Sequence, residues 1–144
     1  MRTFLLAVFT LLNAAAIQAQ SLNLEPDNGV KYNDPQVPAS IGIVLYSNDV
    51  ETVFNALRFA NYSQEWDNQV QIFLLGKGVE LEGLVKTNEE IKKQVDTFVG
   101  QGGVIMGCQT CFQSRKKDGS QICKVACIQD LYDLVKKNQI VLTF

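Results

Sequence analysis

The 144-residue sequence contains no histidine. Without an imidazole, the chain cannot build a Ser-His-Asp or Cys-His nucleophile, and it has no histidine ligand to offer a metal ion. The nucleophile of interest that remains is cysteine, and the chain has four of them. No cofactor is indicated by the sequence.

The chain also lacks a surplus of charge, since 13 basic and 15 acidic side chains give a net charge of −2. Nucleic acids and anionic membrane surfaces bind strongly basic proteins, so we expect neither as a partner. One local basic cluster comprises Arg115, Lys116, Lys117 and Lys124. A solvated face is the simpler interpretation of this cluster, and an anion or partner contact beside the cysteines is the alternative.

No apolar run approaches the length of about 20 residues that a membrane-spanning helix needs. The apolar run Phe4–Leu12 follows the positive Arg2 and precedes small residues that end at Ala19. This order is typical of a secretory signal peptide, so we predict a signal peptide over residues 1–19 that is cleaved after Ala19. We therefore expect a periplasmic or secreted protein with no membrane segment.

Prolines are few, and all three of them precede residue 40. They lie among Asn, Asp and Gly residues with few large apolar side chains, which predicts an extended leader over residues 20–40. The composition of 47% apolar and 19% charged residues suits one globular core. We predict a single folded domain over residues 41–144.

Short apolar runs alternate with amphipathic segments along this domain. The predicted strands are Ile41–Tyr46, Val70–Leu75, Val104–Gly107, Gln121–Val125 and Ile140–Phe144. Alternating strands and helices predict an α/β fold of three layers, with a mostly parallel sheet of about five strands and helices on both faces. The first helix is expected to begin at an N-cap on Ser47 or Asn48, and another at the capping box that runs from Thr87 to Glu90.

Glycines and carboxylates follow the second strand. Gly76 and Gly78 are weak support for a phosphate loop, because Leu81 stands where the dinucleotide fingerprint would have its third glycine. A turn is the better interpretation. Glu80 and Glu82 come next, and they fit either an acid/base role or two exposed loop carboxylates.

The four cysteines follow the pattern Cys108-x2-Cys111-x11-Cys123-x3-Cys127. Cys108 is expected at the carboxyl end of the third strand, where ligands bind in open α/β sheets. A helix over Cys111–Arg115 would lower the pKa of Cys108 through its N-terminal N–H groups. Structural disulfides, a four-cysteine zinc site and a working dithiol are all compatible with this spacing. Structural bridging is the simpler role for Cys123 and Cys127.

The order of motifs resembles the DsrE/DsrF-like family of sulfur-relay proteins, which includes the TusD-type subunits and the YchN-like fold. The likeness runs from Ile41 to Phe144 through FLLGKGV, GGVIMGCQTCFQSR, IQDLYDLV and VLTF. It implies that Cys108 accepts sulfane sulfur as a persulfide, that Cys111 resolves it and that Arg115 is retained. It also implies a sulfur donor or acceptor as partner, either a protein or a small sulfur compound, and a homo-oligomer.

The chain departs from that family in its signal peptide, in Lys116 where many relatives have glycine, and in the additional Cys123 and Cys127. Export would place the protein away from tRNA, so we do not expect a role in tRNA modification. We expect Arg115, Ser47, Gly76 and Gly78 to contact an anion or substrate, since the strand ends should bring Tyr46, Ser47, Gly76 and Cys108 together. The competing hypothesis is a non-catalytic module, cross-linked by structural disulfides, that binds a small ligand or a protein partner.

Overall fold

The computed structural model describes residues 37–144. The predicted signal peptide and most of the leader lie outside the described residues. The strands are β1 (Ser40–Leu45), β2 (Gln69–Leu74), β3 (Val104–Cys108), β4 (Lys124–Ala126) and β5 (Ile140–Thr143). The α-helices are α1 (Val50–Glu65), α2 (Leu81–Thr87), α3 (Glu89–Gly100), α4 (Gln109–Gln113) and α5 (Ile128–Lys137). A short 3₁₀ helix covers Gly76–Glu80.

The five strands form one sheet in the order β4-β3-β2-β1-β5, and every pair is parallel. Leu74 of β2 pairs with Leu45 of β1 on one side and with Gly107 of β3 on the other. The carboxyl ends of these three central strands therefore lie side by side. The predicted sheet is confirmed, and it is entirely parallel.

Both faces of the sheet are apolar, which is why the central strands read as continuous hydrophobic runs. On one face, Ile43 of β1 packs with Leu57 of α1 and Phe98 of α3. On the other face, Phe73 of β2 packs with Leu134 of α5. Helices thus cover both faces, and the predicted three-layer α/β class is confirmed.

The helix starts differ in detail from the sequence prediction. The N-cap of α1 is Asp49, whose carboxylate accepts the N–H of Thr52 at 2.9 Å. Ser47 instead accepts the N–H of Asp49 at 3.1 Å, so neither Ser47 nor Asn48 caps this helix. At α3 the cap is Asn88, which accepts the N–H groups of Glu90 and Ile91.

Several elements near the cysteines also differ from the prediction. The 3₁₀ helix and α2 replace the simple turn expected after β2, because backbone hydrogen bonds continue from Gly76 onward. The helix α4 begins at Gln109, two residues before Cys111. β4 covers only Lys124–Ala126, whereas the predicted strand began at Gln121. Within residues 37–144, no helix has both the length and the apolarity needed to cross a bilayer.

Candidate functional site

The cysteine pair lies where the central strands end. Cys108 is the last residue of β3, and Cys111 lies one turn further on in α4. The turn after β2 follows the neighbouring strand end, and a Cβ added at its first residue, Gly76, would lie 3.7 Å from the carbonyl oxygen of Tyr46. The register therefore brings Tyr46, Gly76 and the two cysteines to one edge of the sheet. We call Cys108, Cys111, Gly76, Glu80 and Arg115 the dithiol site.

Cys108 is half-buried and packs against the hydrophobic clusters on both faces of the sheet. Burial raises the pKa of its thiol, and the adjacent Cys111 side chain raises that pKa further, while the N–H groups of Cys111 and Thr110 act in the opposite direction. The predicted lowering of the Cys108 pKa is therefore wrong. The physical reason is that burial of the sulfur outweighs the N–H groups at the start of α4, a helix of only five residues.

Cys111 has a different environment. The backbone N–H of Gly76 donates to the Cys111 sulfur across a distance of 3.2 Å. This donor comes from outside α4, on the turn that follows β2. A backbone N–H aimed at a sulfur stabilises negative charge that develops there.

Each of the two glycines in this turn is required for a different structural reason. Gly76 has φ of +53°, in the left-handed region that side chains disfavour. At Gly78, an added Cβ would overlap the carbonyl oxygen of Leu45 and lie 2.9 Å from its carbon. The turn thus packs directly on the end of β1, and its N–H at Gly76 contacts a cysteine sulfur rather than being left open for a phosphate.

Arg115 is held by an ion pair. Its Nε donates to Glu80 Oε1 at 2.9 Å, and the second carboxylate oxygen of Glu80 accepts Asn48 Nδ2 at 2.8 Å. Arg115 also donates from Nη1 to the carbonyl oxygen of Cys111 at 3.2 Å. Arg115 first and Asn48 second hold the pKa of Glu80 below its usual value.

Glu80 therefore links the loops after β1, β2 and β3 through Asn48 and Arg115. The sequence indicated Arg115 as an anion contact, but in the structure its guanidinium is bonded to Glu80 and to the α4 backbone. Ser47 bonds within its own loop, and the structure gives it no hydrogen bond to the cysteines. Sequence reasoning missed the role of Glu80 and Asn48, and the only signal for it was their position just after two strand ends.

Glu82 makes a hydrogen bond to the loop that precedes β4. Its carboxylate accepts the amino group of Lys86 at 2.7 Å and the N–H of Gln121 at 3.4 Å. Lys86 first and the Ser120 hydroxyl second hold the pKa of Glu82 below its usual value. Glu80 and Glu82 together attach the chain that follows α4 to the 3₁₀ helix and α2.

The remaining cysteines do not form the predicted second bridge. Cys123 and Cys127 flank the extended strand β4, and four residue steps of about 3.3 Å separate their Cα atoms by roughly 13 Å. A disulfide requires Cα atoms within about 7 Å, so a Cys123–Cys127 bridge is excluded. Cys123 is half-buried, and burial is the main cause that raises its pKa.

All four cysteines carry free thiols in the structure. Among residues 37–144, no three cysteine, aspartate or glutamate side chains are grouped so that they could hold a metal ion. The zinc alternative requires all four cysteines at one point, whereas Cys123 and Cys127 stand at opposite ends of a strand. The four-cysteine zinc site is therefore wrong.

No protein-family model matches this chain, and no curated protein matches it in sequence. Among solved structures, it is similar to BT1422, a conserved protein of unknown function from Bacteroides thetaiotaomicron, with a TM-score of 0.59 and 21% identity. The alignment covers 74% of this chain and 95% of that protein. At this identity the likeness supports the α/β fold, and it assigns no chemistry to the cysteines.

Proposed function

We propose that this chain is an exported protein of the DsrE/DsrF-like kind that performs thiol or persulfide chemistry at Cys108 and Cys111. The observation that supports this proposal most directly is the pair itself. Two free, half-buried thiols lie one helical turn apart at the carboxyl edge of a parallel sheet. Ligands of open α/β sheets bind at that edge.

A dithiol can accept sulfur on one cysteine and release it with the other. The first thiolate takes the outer sulfur of a donor persulfide, and the second thiol then displaces that sulfur and forms an intramolecular disulfide. The partners of this chemistry would be a sulfur donor or acceptor protein, or a small sulfur compound. Arg115 would act by positioning α4, because Glu80 already neutralises its charge.

Export and self-association belong to the same proposal. The pattern of residues 1–19 supports a periplasmic or secreted location, away from tRNA. Sequencing the N-terminus of the protein recovered from the periplasm or medium tests it, and an intact Met1 would contradict it. The family resemblance supports a homo-oligomer, and a solution mass equal to one chain would contradict that part.

Persulfide transfer is tested on the purified mature chain with glutathione persulfide as donor. We expect the reduced protein to release hydrosulfide and to become two hydrogen atoms lighter by intact mass spectrometry as the Cys108–Cys111 disulfide forms. Serine replacement of Cys108 or Cys111 should abolish that release, whereas Cys123→Ser and Cys127→Ser serve as matched controls. If all four single variants release hydrosulfide equally, the cysteine pair has no special role, and a non-catalytic binding module becomes the better account.

The state of the pair without reductant gives a second measurement. Alkylation before and after mild reduction, followed by peptide mass spectrometry, counts the thiols that are already oxidised. We expect a readily reducible Cys108–Cys111 disulfide. Two disulfides that resist mild reduction would instead favour the non-catalytic, disulfide-bonded module.

A further inference from the structure

We propose that Cys111 is the thiol that attacks the sulfur donor and that Cys108 is the resolving thiol. This order is the reverse of the one that the family resemblance implies, and it rests on the proposed dithiol function. It concerns the division of labour within the dithiol site, which the fold class leaves open.

A hydrogen-bond donor at Cys111 supports this order. The Gly76 N–H lies 3.2 Å from the Cys111 sulfur, so the turn after β2 supplies a fixed donor to that atom. The donor is preorganised, because Gly76 sits at φ of +53° in a turn whose next glycine, Gly78, abuts the backbone of Leu45. A preorganised N–H stabilises negative charge on the attacking sulfur without moving during the reaction.

The packing of Cys108 also favours Cys111 as the attacking thiol. Its side chain contacts the hydrophobic clusters on both faces of the sheet, whereas Cys111 contacts the cluster on one face only. The N–H groups of Thr110 and Cys111 act on the Cys108 thiol as well, but burial outweighs them. Burial disfavours a thiolate at this position, which agrees with the raised pKa of Cys108.

The backbone of α4 is also held in place at Cys111. Arg115 donates to the carbonyl oxygen of Cys111 at 3.2 Å and is anchored on Glu80 at 2.9 Å. Since Glu80 belongs to the same 3₁₀ helix as Gly76, one short element holds both the sulfur and the backbone of Cys111. Glu80 is a positioning residue in this arrangement.

The steps balance as follows. The Cys111 thiolate attacks the outer sulfur of a persulfide R–S–SH, an S–S bond forms to Cys111, the donor S–S bond breaks, and R–S⁻ leaves. Cys108 then attacks the Cys111 sulfur, forms the Cys108–Cys111 disulfide and displaces the transferred sulfur as hydrosulfide. The proton of Cys108 leaves with the hydrosulfide, and the two electrons that reduce the sulfur come from the two thiols.

The test uses glutathione disulfide with the reduced mature chain, because a mixed disulfide accumulates only when the resolving thiol is missing. We expect Cys108→Ser to accumulate a glutathione adduct on Cys111 and Cys111→Ser to form an adduct on Cys108 on the order of tenfold more slowly, since the thiolate is the nucleophile. Peptide mass spectrometry locates each adduct. In the unmutated chain, brief alkylation with limiting iodoacetamide should label Cys111 before Cys108, which needs no variant to fold.

Three outcomes are distinguishable. A faster adduct on Cys108 in Cys111→Ser, together with first labelling of Cys108 in the unmutated chain, overturns the proposed order but leaves the dithiol function intact. Adducts on both cysteines that form no faster than the adduct on the exposed Cys127 overturn the dithiol function itself. The expected pattern supports both.

Discussion

Replacement of Gly78 by alanine tests whether the turn after β2 packs on β1 as tightly as the structure has it. The added Cβ would overlap the carbonyl oxygen of Leu45, which is a backbone atom and cannot rotate away as a side chain would. The same carbonyl accepts the N–H of Leu75 at 2.9 Å. The chain can relieve the overlap only by moving the turn or the end of β1.

The expected cost follows from two terms. Overpacking of a rigid contact costs about 1 to 3 kcal/mol, and loss of a backbone hydrogen bond adds about 1 kcal/mol. The free energy of unfolding should therefore fall by about 2 to 4 kcal/mol. For a domain of this size, that corresponds to a decrease in Tm on the order of 10 °C.

The assay is urea unfolding of the reduced mature chain, followed by circular dichroism, with Gly83→Ala as the matched control. Gly83 lies in α2, and a Cβ at this position has no atom within 4 Å. Alanine is a better helix former than glycine, so Gly83→Ala should raise the free energy of unfolding by up to about 1 kcal/mol. The two Gly→Ala changes should thus have opposite signs.

Surface changes without structural effect typically alter the free energy of unfolding by no more than about 0.5 kcal/mol. A difference that small between Gly78→Ala and the unmutated chain would show that the turn does not pack tightly on β1. A second readout connects this contact to the dithiol site. Displacement of the turn moves the Gly76 N–H away from the Cys111 sulfur, so alkylation of Cys111 in folded Gly78→Ala should slow relative to Gly83→Ala. Unchanged Cys111 reactivity in a destabilised variant would separate the packing role of the turn from its role at the sulfur.

Three further predictions use pH and disulfide mapping. The pKa values of Cys108 and Cys123 in the folded chain are raised from 9.0 by burial. Their contribution to the free energy of unfolding should therefore be present below pH 9 and be lost as the pH rises above 9. Urea unfolding of the reduced chain between about pH 7 and 10 should show this loss. The pKa of Glu80 is lowered from 4.5, so its contribution should be present above that pH and be lost below it. Glu80→Gln should remove that acid loss, which is worth less than about 1 kcal/mol because the side chain is 37% exposed. After mild oxidation, peptide mapping should find no Cys123–Cys127 disulfide, and recovery of that peptide pair would show that β4 is not extended between them.

The sequence predicted the sheet well because the strands carry a strong and local signal. Continuous apolar runs bounded by glycine indicate strands buried on both faces, and the cores on the two faces of β1 and β2 account for them. Parallel strands end at the same edge of a sheet, and β2 and β3, which follow one another along the chain, are neighbours in this one. Placing Gly76 beside the cysteines needed nothing more than this rule.

The details of the site could not be predicted because they depend on contacts between distant loops. The bond from Asn48 to Glu80 and the bond from Glu80 to Arg115 join residues 32 and 35 positions apart. No local pattern distinguishes a carboxylate that makes such bonds from an exposed one. The prediction of a bridge between Cys123 and Cys127 was wrong because the extended strand β4 separates these two residues. That prediction depended on where the strand begins and ends, and strand boundaries are the least certain part of a sequence prediction.

Burial explains why the expected pKa of Cys108 had the wrong sign. A strand-to-helix junction suggests a thiolate favoured by helix N–H groups, but burial of the Cys108 sulfur outweighs the N–H groups of Thr110 and Cys111. The N–H of Gly76, which is 35 residues away from Cys111 in the chain, donates to the neighbouring Cys111 sulfur. Under the proposed order of reaction, the turn on the neighbouring strand favours Cys111 over Cys108. Changes in the Gly76–Glu80 segment should therefore alter the order of alkylation of the two cysteines more than changes in α4 outside Cys111.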